Sequence, residues 1–142
     1  RTLIERYDLK AGDAVVDLGC GKGYLLYELQ LLMPGLELVG MDRSEYALKH
    51  RHPELKAQML YGRMEFALPM ADKSFGLVVS TCVLHNLRLF QLATTLPEIE
   101  RSATVWRSAE PFKRSGLIFP LAWRATLLLS CGLVWRWRRP NG

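Results

Sequence analysis

In VVDLGCGKGYLLYEL, residues 15–29, an apolar run ends on Asp17, glycines follow at positions 19, 21 and 23, and the chain then becomes amphipathic. Few folds accommodate that order. Ala14, Val15 and Val16 suit a short buried parallel strand, and leucines at helical spacing over residues 24–33 predict a helix that Pro34-Gly35 stops. The chain must therefore turn sharply between the two. Glycine adopts positive φ and has no Cβ, so such a turn can be tight and a second molecule can approach its backbone. The amides that open the following helix lack intrahelical acceptors and sit at the positive end of its dipole, a setting for a carboxylate or a phosphate.

Short apolar runs and helical stretches continue to alternate as far as residue 101. The reading is a helix at 3–7, a strand at 14–18, helices at 24–33 and 44–50 around a strand at 37–41, strands at 58–61 and 75–80, and a helix at 90–101. Such alternation predicts an α/β fold: a Rossmann-like, doubly wound, mostly parallel sheet with helices on both faces. A fifth strand, interrupted by Pro120, is expected at 115–123, and no internal repeat is present.

Composition fits one globular domain, with 49% hydrophobic and 23% charged residues in a chain of 142. The net charge of +5 is unevenly spread: residues 1–110 carry −1 and residues 111–142 carry +6. Cys20, Cys82 and Cys131 are scattered and odd in number, which argues against a disulfide framework and a zinc site, so no metal is expected. The chain begins at Arg1 without a charged-then-apolar leader; a fragment without a signal peptide is the expectation, with the cytoplasm as default location. Residues 117–135 are almost long enough to cross a bilayer, but Arg124 lies inside them, at an expected cost of about 2.5–3.5 kcal/mol at mid-membrane. WRWRRP invites a nucleic-acid reading through phosphate neutralisation and stacking, and an interfacial membrane contact is another alternative, but the expectation for this end is a buried strand and helix or a poorly ordered tail with a solvated terminus.

Asp42 closes VGMD, 25 positions after Asp17, where doubly wound sheets place an acid that accepts both hydroxyls of a ribose. Together VVDLGCGKG, VGMDRS and LPMADKSFGLVVSTCVLHNL resemble the class I S-adenosylmethionine-dependent methyltransferases, in the branch with D-x-G-C-G-x-G and L-P-x-x-D-x-S-F-D motifs. The resemblance runs from about Lys10 to Arg101. It implies an incomplete version of the family's seven-stranded fold in a chain truncated or divergent beyond that point. Residues 1–121 are then the cofactor-binding domain and 122–142 a basic, Trp/Arg-rich tail. Nicotinamide proteins usually carry G-x-G-x-x-G for a pyrophosphate; here the third glycine comes one residue earlier and Asp17 precedes the loop. A cofactor with a carboxylate, an ammonium, a ribose and an adenine matches those features piece by piece.

By this resemblance Gly19, Cys20, Gly21 and Gly23 line the methionyl end of S-adenosyl-L-methionine, Asp17 fixes the loop and reaches the ammonium, and Asp42 holds the ribose. Arg43 packs beside the adenine, Arg63 and Met64 occupy the pair that contacts its edge, and Ser80 faces the methionyl group or the substrate. His85, on the rim after the fourth strand, is the catalytic candidate, though transfer from a sulfonium needs positioning more than a strong base. The acceptor is expected to be a small molecule. Two departures stand out: Arg63 replaces the usual aspartate or asparagine, and Gly76 replaces the aspartate of S-F-D. A K-P-G-G turn before the fifth strand is also missing. The alternatives are a non-catalytic or degenerate adenosylmethionine-binding fragment and a NAD-binding oxidoreductase.

Overall fold

The computed structural model describes residues 2–110 and 133–136. In chain order these form α1 (Thr2–Tyr7), β1 (Ala14–Leu18), α2 (Tyr24–Leu32), β2 (Glu37–Asp42), α3 (Glu45–Lys49), β3 (Gln58–Tyr61), β4 (Phe75–Thr81), a 3-10 turn (Leu84–Asn86), α4 (Leu89–Ser102), β5 (Ala103–Glu110) and β6 (Leu133–Arg136). The sheet order is β3-β2-β1-β4-β5-β6, parallel throughout except for the antiparallel β5–β6 pair. Strand order reverses at β1, so the carboxyl ends of β1, β2 and β4 meet at one crevice, where open α/β sheets bind ligands.

Strand residues alternate between two cores. Val15, Leu38, Leu77 and Val79 pack with Leu26 and Leu29 of α2, while Val16, Leu18, Met41 and Val78 pack with Ile99 of α4. Leu26 and Leu29 are almost wholly buried, and each contributes roughly 1.5–3 kcal/mol through removal from water. This double-sided burial explains why the strands read as continuous apolar runs.

The long β3–β4 connection is held by α4. Arg101 donates to the carbonyls of Leu68 (3.2 Å) and Met70 (2.8 Å) and to the Asp72 carboxylate (2.7 Å). Glu98 pairs with Arg101 at 2.9 Å and accepts from the Leu68 amide at 2.9 Å. Lys73 reciprocates: its Nζ donates to the carbonyls of Glu100 (2.8 Å) and Ala103 (2.7 Å), and its amide to that of Arg101 (2.9 Å). A cation thus satisfies carbonyls that the helix end leaves unpaired. LPMADKSF is the sequence trace of this clasp.

Two differences from the sequence reading concern the late strands. The fifth strand is Ala103–Glu110, following α4 without a loop, rather than residues 115–123, which lie outside the described residues. Leu133–Arg136, inside the segment read as a tail, is a strand paired with β5, Ala109 opposite Val134 and Glu110 opposite Leu133. The boundary near residue 121 and the rest of the WRWRRP motif lie outside the described residues. Among the described residues no helix is long and apolar enough to cross a membrane.

Candidate functional site

The glycine loop is fastened to β2 before it reaches α2. Gly19 and Cys20 both donate to the Met41 carbonyl, at 2.7 and 3.2 Å, and Gly23 donates to Cys20 at 2.9 Å. Gly19 and Gly21 have φ of +84° and +55°, conformations that other residues adopt at a cost. Their surroundings differ. A methyl group on Gly19 would lie 2.3 Å from Cγ2 of Val83, whereas one on Gly21 would meet nothing within 4 Å. The backbone at Gly21 therefore faces open space, at the start of a helix whose first turn has no side-chain cap.

Two acids bracket that space. Asp17 shares its side of the sheet with Val15, and Asp42 shares the same side with Leu38, so both face the α2 layer. Asp42 accepts from the Gly21 amide at 2.7 Å and from the Ser44 amide at 2.8 Å. Each contact uses one of its oxygens, and a carboxylate offers about four acceptor positions, so capacity for further hydroxyl donors remains. Asp17 is 4% exposed, and its Oδ1 is buried without a hydrogen-bond partner. Burial, and secondarily the charge of Asp42, push its carboxyl up to about 7. Burial, then the charges of Asp17 and Asp42, push the Cys20 thiol up to about 12, which keeps it protonated and poorly nucleophilic. Among the described residues no cation pairs with either acid.

The remaining residues sort by side chain. Cys20 and Met64 are buried in the two cores, so only their backbone atoms are placed near the crevice; the Met64 carbonyl already accepts from Thr95 at 3.0 Å. Arg43 is exposed between Asp42 and α3. Arg63 is exposed, its Nε 2.8 Å from the buried Glu65 carboxylate and its guanidinium 5.7 Å from the Phe66 ring centre. His85 is exposed on the 3-10 turn, which Val83 anchors against Gly19. Ser80 does not join this group: it is wholly buried, its Oγ unpartnered, and strand alternation puts it with Val78 on the α4 side.

Three contributors were not singled out in the sequence. Gly40, opposite Asp17, makes room for the loop: a methyl there would lie 2.8 Å from Cys20 Sγ and 2.9 Å from Leu26 Cδ1. A glycine inside an apolar strand signals such close approach. Glu65 restores a carboxylate beside Arg63, and Val83 seats the rim on the loop; neither carries a local sequence signal.

A family model described as a methyltransferase domain matches residues 9–105. The chain belongs to the methyltransferase-domain family. Over 75 residues it is 37% identical to malonyl-[acyl-carrier protein] O-methyltransferase of Legionella pneumophila, a match covering 50% of this chain and 26% of that protein. Over 74 residues it is 31% identical to ribosomal RNA small subunit methyltransferase C of Buchnera aphidicola, covering 51% and 22% respectively. The chain thus spans about a quarter of the length of these curated relatives. Among solved structures, a TehB-like SAM-dependent methyltransferase from Corynebacterium glutamicum superposes with a TM-score of 0.71 at 16% identity, covering 96% of this chain and 86% of that one. A SAM-dependent methyltransferase from Aquifex aeolicus gives 0.71 at 16% identity, covering 94% and 87%. The fold of this methyltransferase domain is accordingly the Rossmann-like fold of the class I enzymes.

Proposed function

We propose that this methyltransferase domain binds S-adenosyl-L-methionine in the crevice above Gly21 and transfers its methyl group to a small-molecule acceptor. The observation that carries the reading is the unpartnered, buried Oδ1 of Asp17 beside an open glycine backbone at a helix N-terminus. An amino-acid group answers both needs at once. Its ammonium would satisfy Asp17, and its carboxylate would meet the α2 amides at the positive end of the helix dipole. Asp42, oriented by the Gly21 and Ser44 amides, would hold the ribose hydroxyls. Arg43, Arg63 and the backbone of Met64 would flank the adenine.

When bound, the sulfonium supplies an electrophilic methyl group and a neutral thioether as leaving group. The chain's own part is orientation. Val83 fastens the rim that carries His85 to the loop that carries Gly21, so the acceptor side and the cofactor side are in contact. The imidazole of His85 is assigned the proton of an acceptor that must lose one.

Calorimetry with S-adenosylmethionine, S-adenosylhomocysteine and NAD, on the native chain and on Asp42→Ala, tests this. Micromolar binding of both adenosyl ligands, lost in the variant, is expected. NAD binding without the other two would overturn the reading. A labelled-methyl assay on the binding-competent protein separates a transferase from a non-catalytic binding fragment.

A further inference from the structure

The same edge of the sheet exposes large apolar side chains that packing does not use. Phe66, Leu89 and Phe90 are 63%, 69% and 66% exposed. They come from two segments joined by hydrogen bonds: Thr94 Oγ1 donates to the Glu65 carbonyl at 3.3 Å and Thr95 Oγ1 to that of Met64 at 3.0 Å. Phe90 precedes Thr94 by one helical turn and so shares the α4 face that carries this link. Val83 lies against Gly19, so the segment that leads into Leu89 and Phe90 starts beside the glycine loop.

Charge at the cluster rests on one residue, Arg88, because Arg63, beside Phe66, is already paired with the Glu65 carboxylate at 2.8 Å. Arg88 precedes Leu89, is exposed, and has no acidic partner among the described residues. From residue 85 to residue 97 there is no acid in the sequence, and Glu98 is taken by Arg101. Apolar side chains grouped at a rim next to a pocket mark a binding surface, and unopposed arginine selects a negative end group.

We propose that Phe66, Leu89 and Phe90, with Arg88 at their edge, receive the methyl acceptor, and that this acceptor is a small amphipathic anion: an apolar chain or ring ending in a carboxylate. The inference rests on the methyl-transfer reading and names its substrate class.

Isothermal titration of the full chain with monomeric decanoate, decanol and decylammonium, with and without S-adenosylhomocysteine, tests it. Decanoate should bind at least tenfold more tightly than decanol, and decylammonium should not bind. Phe90→Ser and Arg88→Ala, both at exposed positions, should each weaken decanoate about tenfold, while Leu31→Ser, an exposed position on α2, should change nothing. Equal binding of the three probes, or a Leu31→Ser effect as large as that of Phe90→Ser, would overturn the proposal. S-adenosylhomocysteine binding without decanoate binding would overturn it alone. Decanoate binding without S-adenosylhomocysteine binding would instead overturn the methyl-transfer reading, and with it the role of acceptor.

Discussion

Two groups of carboxylates in this domain sit in opposite electrostatic states. At the mouth of the sheet, Asp17 is buried near Asp42 with no cation among its described neighbours, and its carboxyl is pushed up to about 7. At the far end of α4, the hydrogen bonds of Arg101 and the Leu68 amide hold the Glu98 carboxyl below the usual carboxylate range. The second group closes a loop and is complete within the chain. The first has no such partner among the described residues, and a perturbed, unpaired carboxyl in a crevice is the asymmetry on which the proposed binding site rests.

The sharpest break in this comparison is Asp17→Asn. A carboxyl at about 7 when folded and 3.8 when free holds its proton more tightly in the native state. Native stability is then full below the free value, falls as pH rises between the two, and is flat above; the deficit at pH 8 is at most about 4 kcal/mol. Asp17→Asn should remove that slope and raise the urea midpoint at pH 8, while abolishing S-adenosylmethionine binding. Denaturation at pH 5 and pH 8 reads the first effect and calorimetry the second. A variant less stable at pH 8 than the native chain would show that the site is not under strain from its own charges.

Arg101→Ala addresses the other group. It takes the donor from the Met70 carbonyl and one of two donors each from the Leu68 carbonyl, which keeps the Met70 amide, and the Glu98 carboxylate, which keeps the Leu68 amide, and a lower urea midpoint is expected. The sign with pH is reversed relative to Asp17. Because Glu98 is lowered in the folded state, its contribution is present above the free carboxylate value and disappears as pH falls through the folded one. The native chain should therefore lose stability on acidification over that range, and Arg101→Ala should lose less. Cofactor affinity should stay within about twofold, since the clasp lies at the opposite end of α4 from the crevice. Measuring both on one preparation tells whether fold and site are separable.

The two regions also differed in how well the sequence exposed them. The mouth was legible because a local rule governs it: glycine where φ is positive, an acid at a strand end, leucines at helical spacing. Asp17, Gly19, Gly21 and Asp42 could be named from spacing alone, and the structure gathers them on one face. The clasp was visible only as a motif without a mechanism, because Lys73 and Arg101 are 28 positions apart and nothing local pairs them. β5 was missed for a related reason. It follows α4 without a turn residue, and Arg107, Ser108 and Glu110 break its apolar run, so pairing with β4 rather than local pattern makes it a strand. The side of the sheet that Ser80 takes was not legible, because a strand end fixes a position but not a face.

A smaller contrast lies inside the glycine loop. Gly19→Ala meets both a left-handed backbone and Val83 at 2.3 Å, and should cost about 2–3 kcal/mol of stability. Gly21→Ala meets only the backbone penalty, about 1 kcal/mol, because nothing lies within 4 Å. If Gly21 faces the cofactor, its alanine variant should fold and yet lose at least tenfold in S-adenosylmethionine affinity. Retained affinity would mean that the open space is merely solvent.

The smallest expected effect concerns Gly76, where the resembling family carries an aspartate. A methyl there would meet only the Ala14 carbonyl oxygen at 3.5 Å and Asp13 Cβ at 3.9 Å, ordinary contact distances. Gly76→Ala should therefore stabilise the domain by about 0.5–1 kcal/mol, mainly by restricting the unfolded chain and suiting the strand better. Gly76→Asp should gain less, since it sets a carboxylate beside Asp13, whose own Oδ2 is held by the Lys10 amide at 2.7 Å. This acid pair is open to water, unlike Asp17 and Asp42, so added salt should erase the difference between the two variants. A difference that persists in salt would place the third pair with the mouth, and would mean that burial is not what sets Asp17 apart.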